Sequence, residues 1–483
     1  MKKRWFLIAF NLALALKLCG TPGLLFSEIR LSLKTIHYDL DIRLDYEQEK
    51  VFGHCRLMVI NASSGSVSQI PLLLYRLMKV TSVKDEDGSE LPYTQQVLGF
   101  EDWEKMQANS ITVVLKTPLR PENKMSISID YEGYLLGYTE AGMLYVKDHV
   151  DKDFTIIRPD CFAYPQVAYL SWKANFLAGL QSFAYRLRVT VPDFLTVANG
   201  GKFVGKLSEN GWTTYSFENI LPAWRIDAVV AKYGILKDPT DGHKVYHFPG
   251  DEEGGRMVLK ALKDAMGLFT EWFGQASRSA EFSVIEVPEG FGSQADVTSI
   301  LQTRDAFINK DKLGELYHEI SHRWNVASRD PFPPRFESEG LAMLLQYLAK
   351  EKLEQKPGNL ETGAERMRDS FRRGCQNDKK AKKIPMLDYG KEGLTDLSYS
   401  KGMVFFYVLY KLAGEEKLLN SIRNFYQKYH ARGATTENFL SQLKDDLKIP
   451  LDKFFQDWVY GAASSDDIIG AKTLEEIVRK YRT

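Results

Sequence analysis

Cysteine is scarce, with four in 483 residues. Cys19 sits in an N-terminal leader-like segment, so at most one bridge can form among Cys55, Cys161 and Cys375, and a disulfide framework is excluded. Three buried free thiols are the expected state. Net charge is also missing: Lys plus Arg and Asp plus Glu number 63 each, so no overall field would hold nucleic acid or an anionic membrane. The one basic cluster, Lys379, Lys380, Lys382 and Lys383, reads as a solvated loop, and no nucleic-acid partner is expected. Beyond the first residues no stretch is apolar for long enough to span a bilayer, and there is neither an internal repeat nor a low-complexity segment. What remains is ordinary for a globular chain with a large core: 44% apolar and 26% charged residues, 35 Gly and 18 Pro. At this length two to four domains are expected.

The N-terminus has its own character. Lys2, Lys3 and Arg4 precede an uncharged run from Trp5 to Leu16, followed by Lys17, Gly20, Pro22 and Gly23. That run would rise about 18 Å as a helix, short of the ~30 Å hydrocarbon core, so a signal peptide is expected over residues 1–27 rather than a permanent span. Ala13 and Ala15 offer an A-x-A cleavage site, and Ser27 a later end. Lys17 and Leu18 argue against lipidation of Cys19. The mature chain is therefore expected to be exported, to a periplasm or the extracellular space.

From Ile36 to about Lys237 the dominant period is two. Tyr38, Leu40, Ile42, Leu44 and Tyr46 alternate with other residues, as do Met125, Ile127, Ile129 and Tyr131, and Phe183, Tyr185, Leu187, Val189 and Val191. Turn signals at Asp87-Gly88, Asn199-Gly200-Gly201 and Asn210-Gly211 separate these half-buried strands, which predicts an antiparallel β-sandwich or saddle-shaped sheet over 28–240. After Pro249-Gly250 the spacing turns helical, as in Met257, Ala261, Leu262, Ala265, Met266, Phe269 and Phe273, with one short strand at Phe282–Val287. The fold class is α+β: the β domain, then a mainly helical domain over 241–483 with a small sheet.

The segment that carries chemistry is His318-Glu319-Ile320-Ser321-His322. Two His four apart on a helix lie about 40° apart around its axis, so both imidazoles can reach one metal. Glu319 lies between them, where its carboxylate can face an attacking water without ligating. In a chain with only eight His such a pattern arises by chance in roughly one sequence per hundred, so its context decides. Seventeen residues past His322, Glu339 opens another helical run; a carboxylate there completes a His₂Glu zinc site with one position left open, as catalysis requires. Glu337, two residues earlier, is the competing ligand.

With His-Arg-Trp at 322–324 and Ser-Glu-Gly-Leu-Ala at 338–342, the chain resembles the gluzincin zinc aminopeptidases of the alanyl aminopeptidase and leukotriene hydrolase type. In that family His-Glu-x-x-His is followed by Gln-Trp, and the third ligand lies in Asn-Glu-Gly-Phe-Ala; the family's usual gap of about eighteen residues between the last His and the Glu is shortened here to sixteen. Gly340 after Glu339 selects Glu339 over Glu337. Leu397-Ser398-Tyr399-Ser400-Lys401-Gly402 is similar to the family's Ser-Tyr-x-Lys-Gly, whose tyrosine stabilises the oxyanion; that role would fall on Tyr399. The resemblance covers about residues 30–465, including Phe454-Phe455-Gln456-Asp457-Trp458-Val459, and implies a thermolysin-like catalytic domain without the family's long C-terminal helical domain.

One departure bears on specificity. The family's Gly-x-Met-Glu-Asn strand, whose Glu binds the substrate's free amino group, falls on Gly292, Ser293, Gln294, Ala295 and Asp296, with Ala295 where the Glu belongs. Asp296, Glu289 and Glu286 are the possible substitutes, and the strand itself can still bind substrate backbone. The resemblance thus implies a metallopeptidase with one Zn²⁺ per chain, ligands His318, His322 and Glu339, catalytic Glu319 and Tyr399, and short peptides as substrates, acting as an aminopeptidase with a degenerate amine anchor. The alternatives are a dipeptidyl or endo-acting oligopeptidase, or a peptide-binding scaffold that keeps zinc without catalysis. Oligomeric state has no sequence signal here.

Overall fold

The computed structural model describes residues 32–177, 182–276 and 281–482; the expected signal peptide lies outside the described residues. By internal contacts the chain divides into two compact units, Met1–Leu259 with Ala280–Asn309, and Lys260–Ser279 with Lys310–Thr483.

In the first unit the alternation seen in the sequence becomes burial. Along Ala184–Pro192 the residues Tyr185, Leu187, Val189 and Val191 turn inward, and along Leu33–Asp45 so do Tyr38, Leu40, Ile42 and Leu44. A seven-stranded sheet runs in the order Lys202–Glu209, Trp212–Glu218, Ala184–Pro192, Leu33–Asp45, Lys50–Asn61, Lys124–Gly133, Met78–Lys84. A four-stranded sheet runs Tyr93–Phe100, Trp103–Leu119, Val67–Tyr75, Gln166–Val167. The inward residues of both sheets join in one core cluster, as burying two half-apolar faces requires. The expected antiparallel pattern has one exception: Leu33–Asp45 pairs parallel with Ala184–Pro192, in register His37 with Ala184. The chain leaves one strand and rejoins it more than a hundred residues later, ample length for the crossover that parallel pairing needs. Cys55 and Cys161 in this unit and Cys375 in the other are buried and free.

A five-stranded sheet closes the first unit. Its strands are β1 (Gly234–Lys237), β2 (Lys244–His247), β3 (Ser283–Val287), β4 (Gln294–Ala295) and β5 (Ser299–Thr303), in the order β1-β2-β3-β5-β4. Pairings β2–β3 and β3–β5 are parallel, β1–β2 and β5–β4 antiparallel. β3 and β5 are wholly buried, the signature of strands covered on both faces. Helix α1 (Glu252–Phe273) follows β2, opening with Glu252 and Glu253, which suit its positive end; from Lys260 it belongs to the second unit.

The second unit is helical. α2 (Gly314–Ser321) runs into a 3₁₀ turn, His322–Trp324; a π-helical turn, Phe336–Gly340, leads into α3 (Leu341–Glu354); then come α4 (Asn359–Asn377) and α5 (Thr395–Ala413). α5 is apolar nearly all round, with every residue from Ser400 to Leu409 buried, which makes it the central helix of this unit. Phe405 meets Phe336, Phe406, Phe454, Phe455 and Trp458 at ring distances of 5.1–6.3 Å. Trp324 donates to the Gly274 carbonyl at 2.9 Å and packs edge-on against Phe269, which pins the turn carrying His322 to the end of α1.

Candidate metal centre

His318 lies in the last turn of α2, and His322 immediately caps it with αR backbone (φ −60°, ψ −15°). The helix ends one residue earlier than the i, i+4 spacing suggests, but the backbone stays helical through His322, so both rings remain on one side. Their centroids are 4.9 Å apart. Glu339 comes from the π-helical turn before α3. The extra residue of that turn places the carboxylate toward the imidazoles: Glu339 Oε2 is 3.4 Å from Nε2 of each His. Potential ligand atoms of the three residues all fall within 4.8 Å of one another.

Glu337 is not part of this cluster. Its Oε1 accepts from the Thr436 hydroxyl at 2.8 Å, and burial pushes its carboxyl up to about 7. Glu319, on the same α2 turn as His318, is partly exposed, as a group that must meet water should be. The Tyr399 ring lies parallel to that of His318, 5.7 Å away with 10° between planes. Burial and the nearby Glu339 push the Tyr399 phenol well up, Arg335 opposing them, so it is a hydroxyl donor rather than a phenolate.

The chemistry of the donor set fits zinc. Glu339 is buried, with Oε2 lacking a hydrogen-bond partner among the described residues, as does His318 Nδ1. Burial alone would raise Glu339, yet His322, His318 and Arg335 hold it well below the ordinary carboxylate range. Burial would lower His322, yet Glu339 holds it above its ordinary value. One buried carboxylate facing two imidazole nitrogens, with potential ligand atoms within 4.8 Å of one another, is a donor set that suits a divalent borderline metal.

Two supporting residues were not foreseen. The Asn325 amide nitrogen Nδ2 is 2.8 Å from His322 Nδ1. A metal held through Nε2 would leave the ring proton on Nδ1, where the Asn325 amide, turned over to present its oxygen, would accept it and fix the ring. Three residues after His322, Asn325 was within reach of helical spacing alone. Arg335, whose guanidinium pairs with Glu339 Oε1, had no pattern to announce it.

The strand assigned to substrate lies in the first unit. Gln294 and Ala295 form β4, paired with Leu301 and Ile300 of β5 at the edge of the sheet. The Gln294 side chain is engaged: Oε1 accepts from Arg225 Nη2 (3.0 Å) and Arg158 Nη1 (3.2 Å), and Nε2 donates to Asp160 (3.0 Å). Ser293 Oγ accepts from Gln302 and the Thr303 N–H, while Gly292 takes φ +76°. Burial raises the Asp296 carboxyl to about 7. Glu286 is fully buried, accepts from the Phe248 N–H at 2.6 Å and is pushed up to about 8, burial being the main cause, so it is not offered to a ligand; Glu289 is exposed.

Residues 297–458 match the Peptidase family M1 domain. No curated protein sequence matches the chain. Among solved structures it is similar to a mutant M1 zinc metallopeptidase from Deinococcus radiodurans (TM-score 0.59, 18% identity, 89% of this chain and 94% of that one). It is likewise similar to that protein's mutant bound to a Tyr-Ser-Ala substrate (TM-score 0.60, 18% identity, 89% and 94%) and to a further structure of the M1 zinc metallopeptidase from the same organism (TM-score 0.59, 17% identity, 94% and 95%).

Proposed function

We propose, from the match of residues 297–458 to the Peptidase family M1 domain, that this zinc-dependent metallopeptidase hydrolyses short peptides, in the manner of an aminopeptidase whose amine anchor has been weakened. The observation that carries this reading is the convergence of His318, His322 and Glu339 beside Glu319 and Tyr399.

Zinc held by His318, His322 and Glu339 would polarise the scissile carbonyl and acidify the attacking water. Glu319 takes the proton of that water and passes it to the leaving amine, a contribution typically of 10² to 10⁴. Tyr399, kept protonated by burial, donates to the carbonyl oxygen as charge develops there. Buried Glu339 and the stacked rings of His318 and Tyr399 keep these groups from reorganising during the step.

The specificity part of the proposal rests on β4. Its free edge has backbone groups to offer an extended peptide, but Ala295 supplies no carboxylate for an ammonium, Gln294 is committed to Arg158, Arg225 and Asp160, and Glu286 is sealed in. A lost charge-assisted hydrogen bond weighs roughly 1.5–3 kcal/mol, about ten- to a hundredfold in kcat/KM. The dipeptidyl or endo-acting alternative follows from the same observation. The substrate-bound relative, whose ligand is a tripeptide, supports short peptides. We further propose export through residues 1–27; no helix among the described residues is long and apolar enough to cross a membrane.

The test is hydrolysis of one peptide offered with a free and with an acetylated N-terminus. Cleavage of both within about a hundredfold supports the reading, whereas a preference above about a thousandfold for the free form makes the protein a conventional aminopeptidase.

A further inference from the structure

Arg335 grips Glu339 at both ends. It follows Pro334 in left-handed conformation (φ 62°, ψ 0°) and starts the π-helical turn. Such backbone is uncommon for a residue with a Cβ and persists where the surroundings impose it. Here its carbonyl accepts from the Glu339 N–H at 2.8 Å, from the Ser338 N–H at 3.2 Å and from the Ser338 hydroxyl at 3.1 Å. Its guanidinium meanwhile donates through Nη2 to Glu339 Oε1. The preceding carbonyl, of Pro334, accepts from the Ser398 hydroxyl at 2.5 Å, and Ser398 adjoins Tyr399 on α5. One short loop is therefore tied to the third-ligand carboxylate and to the helix of the oxyanion donor.

The two oxygens of Glu339 are thereby divided. Oε1 is taken by Arg335; Oε2 faces His318 Nε2 and His322 Nε2 at 3.4 Å each, without a hydrogen-bond partner among the described residues. Resting on the zinc-peptidase reading, we infer that Arg335 is a positioning residue that restricts Glu339 to ligating zinc through Oε2 alone. The consequence is chemical. A carboxylate whose second oxygen is held by a guanidinium is fixed in direction before the metal arrives, which favours binding, and it cannot close a further coordination position, so the place needed by water and substrate stays open. Arg suits the task because its cation persists at any working pH and its planar fork fixes direction. The side chain remains 35% exposed, so the pair is reached by solvent without being dissolved by it.

The experiment uses full-length, zinc-loaded protein and the variants Arg335→Gln and Arg335→Lys. Zinc affinity is measured by competition with a chromophoric chelator, and coordination number by X-ray absorption at the zinc edge; neither requires turnover. Arg335→Gln should weaken zinc binding about 10- to 100-fold and add one oxygen to the coordination shell as Glu339 turns bidentate. Arg335→Lys, which keeps a cation but loses the fork, should recover part of the affinity. Zinc affinity within twofold of wild type, with an unchanged shell in both variants, would overturn the inference. Should wild-type protein bind zinc yet cleave no peptide, the peptidase reading fails while these two measurements still decide the role of Arg335.

Discussion

Gly340 and Gly402 meet backbone to backbone: a Cβ on Gly340 would lie 2.6 Å from the Gly402 Cα, and one on Gly402 2.8 Å from the Gly340 Cα. Gly340 follows Glu339, and Gly402 lies one helical turn after Tyr399, so this contact sets how far apart Glu339 and Tyr399 can sit. Gly402→Ala should cost about 1–3 kcal/mol, as overpacking does, and lower activity out of proportion to stability. Thermal unfolding and kcat/KM measured on the same preparation check this; an alanine variant with wild-type kcat/KM would show that the contact does not set the geometry.

Glu319→Gln should retain zinc and lose turnover by about 10² to 10⁴, because the ligands are untouched while the proton carrier is gone. Metal content alongside kcat is the measurement, and a variant that loses zinc would mean Glu319 is itself a ligand.

Tyr399→Phe should lower kcat by about 10² to 10³ with little change in KM, since the oxyanion it serves exists mainly in the transition state. An equal rise in KM would assign Tyr399 to substrate binding instead.

Lys401 is fully buried on α5, its ammonium 3.1 Å from Ser465 Oγ and over the rings of Phe371 and Tyr389. Burial lowers it to about 7, with nearby Cys375 opposing. Between pH 7 and the ordinary lysine value the unfolded chain binds the extra proton, so stability should rise with pH across that window. Lys401→Met should flatten the rise. Chemical denaturation at pH 7 and 9 reads it directly, and an unchanged slope in the variant would place the titrating group elsewhere.

The grouping of His318, His322 and Glu339 was legible in part: the two His share one helical turn, which local spacing encodes, while Gly340 marked Glu339 over Glu337 through the family resemblance. A lone Lys401 within the otherwise apolar stretch of α5 was a signal that spacing could have flagged. Arg335 was not legible: its contact depends on a left-handed residue after two prolines and on a π-helical turn, neither of which leaves a periodic trace. Likewise alternation identified the strands of Leu33–Asp45 and Ala184–Pro192, but period two is the same in parallel and antiparallel sheets, so their parallel pairing depended on long-range chain path. The engagement of Gln294 by Arg158 and Arg225, residues far apart in sequence, was hidden for the same reason.

The most direct measurement is zinc stoichiometry coupled to tripeptide hydrolysis, for wild type and for Glu339→Ala. One zinc per wild-type chain is expected, with hydrolysis abolished by chelation and restored by added zinc, and with both zinc and activity lost in the variant. Peptide hydrolysis that survives complete removal of metal, or a Glu339→Ala protein that still binds one zinc with wild-type affinity, would contradict the assignment of this centre.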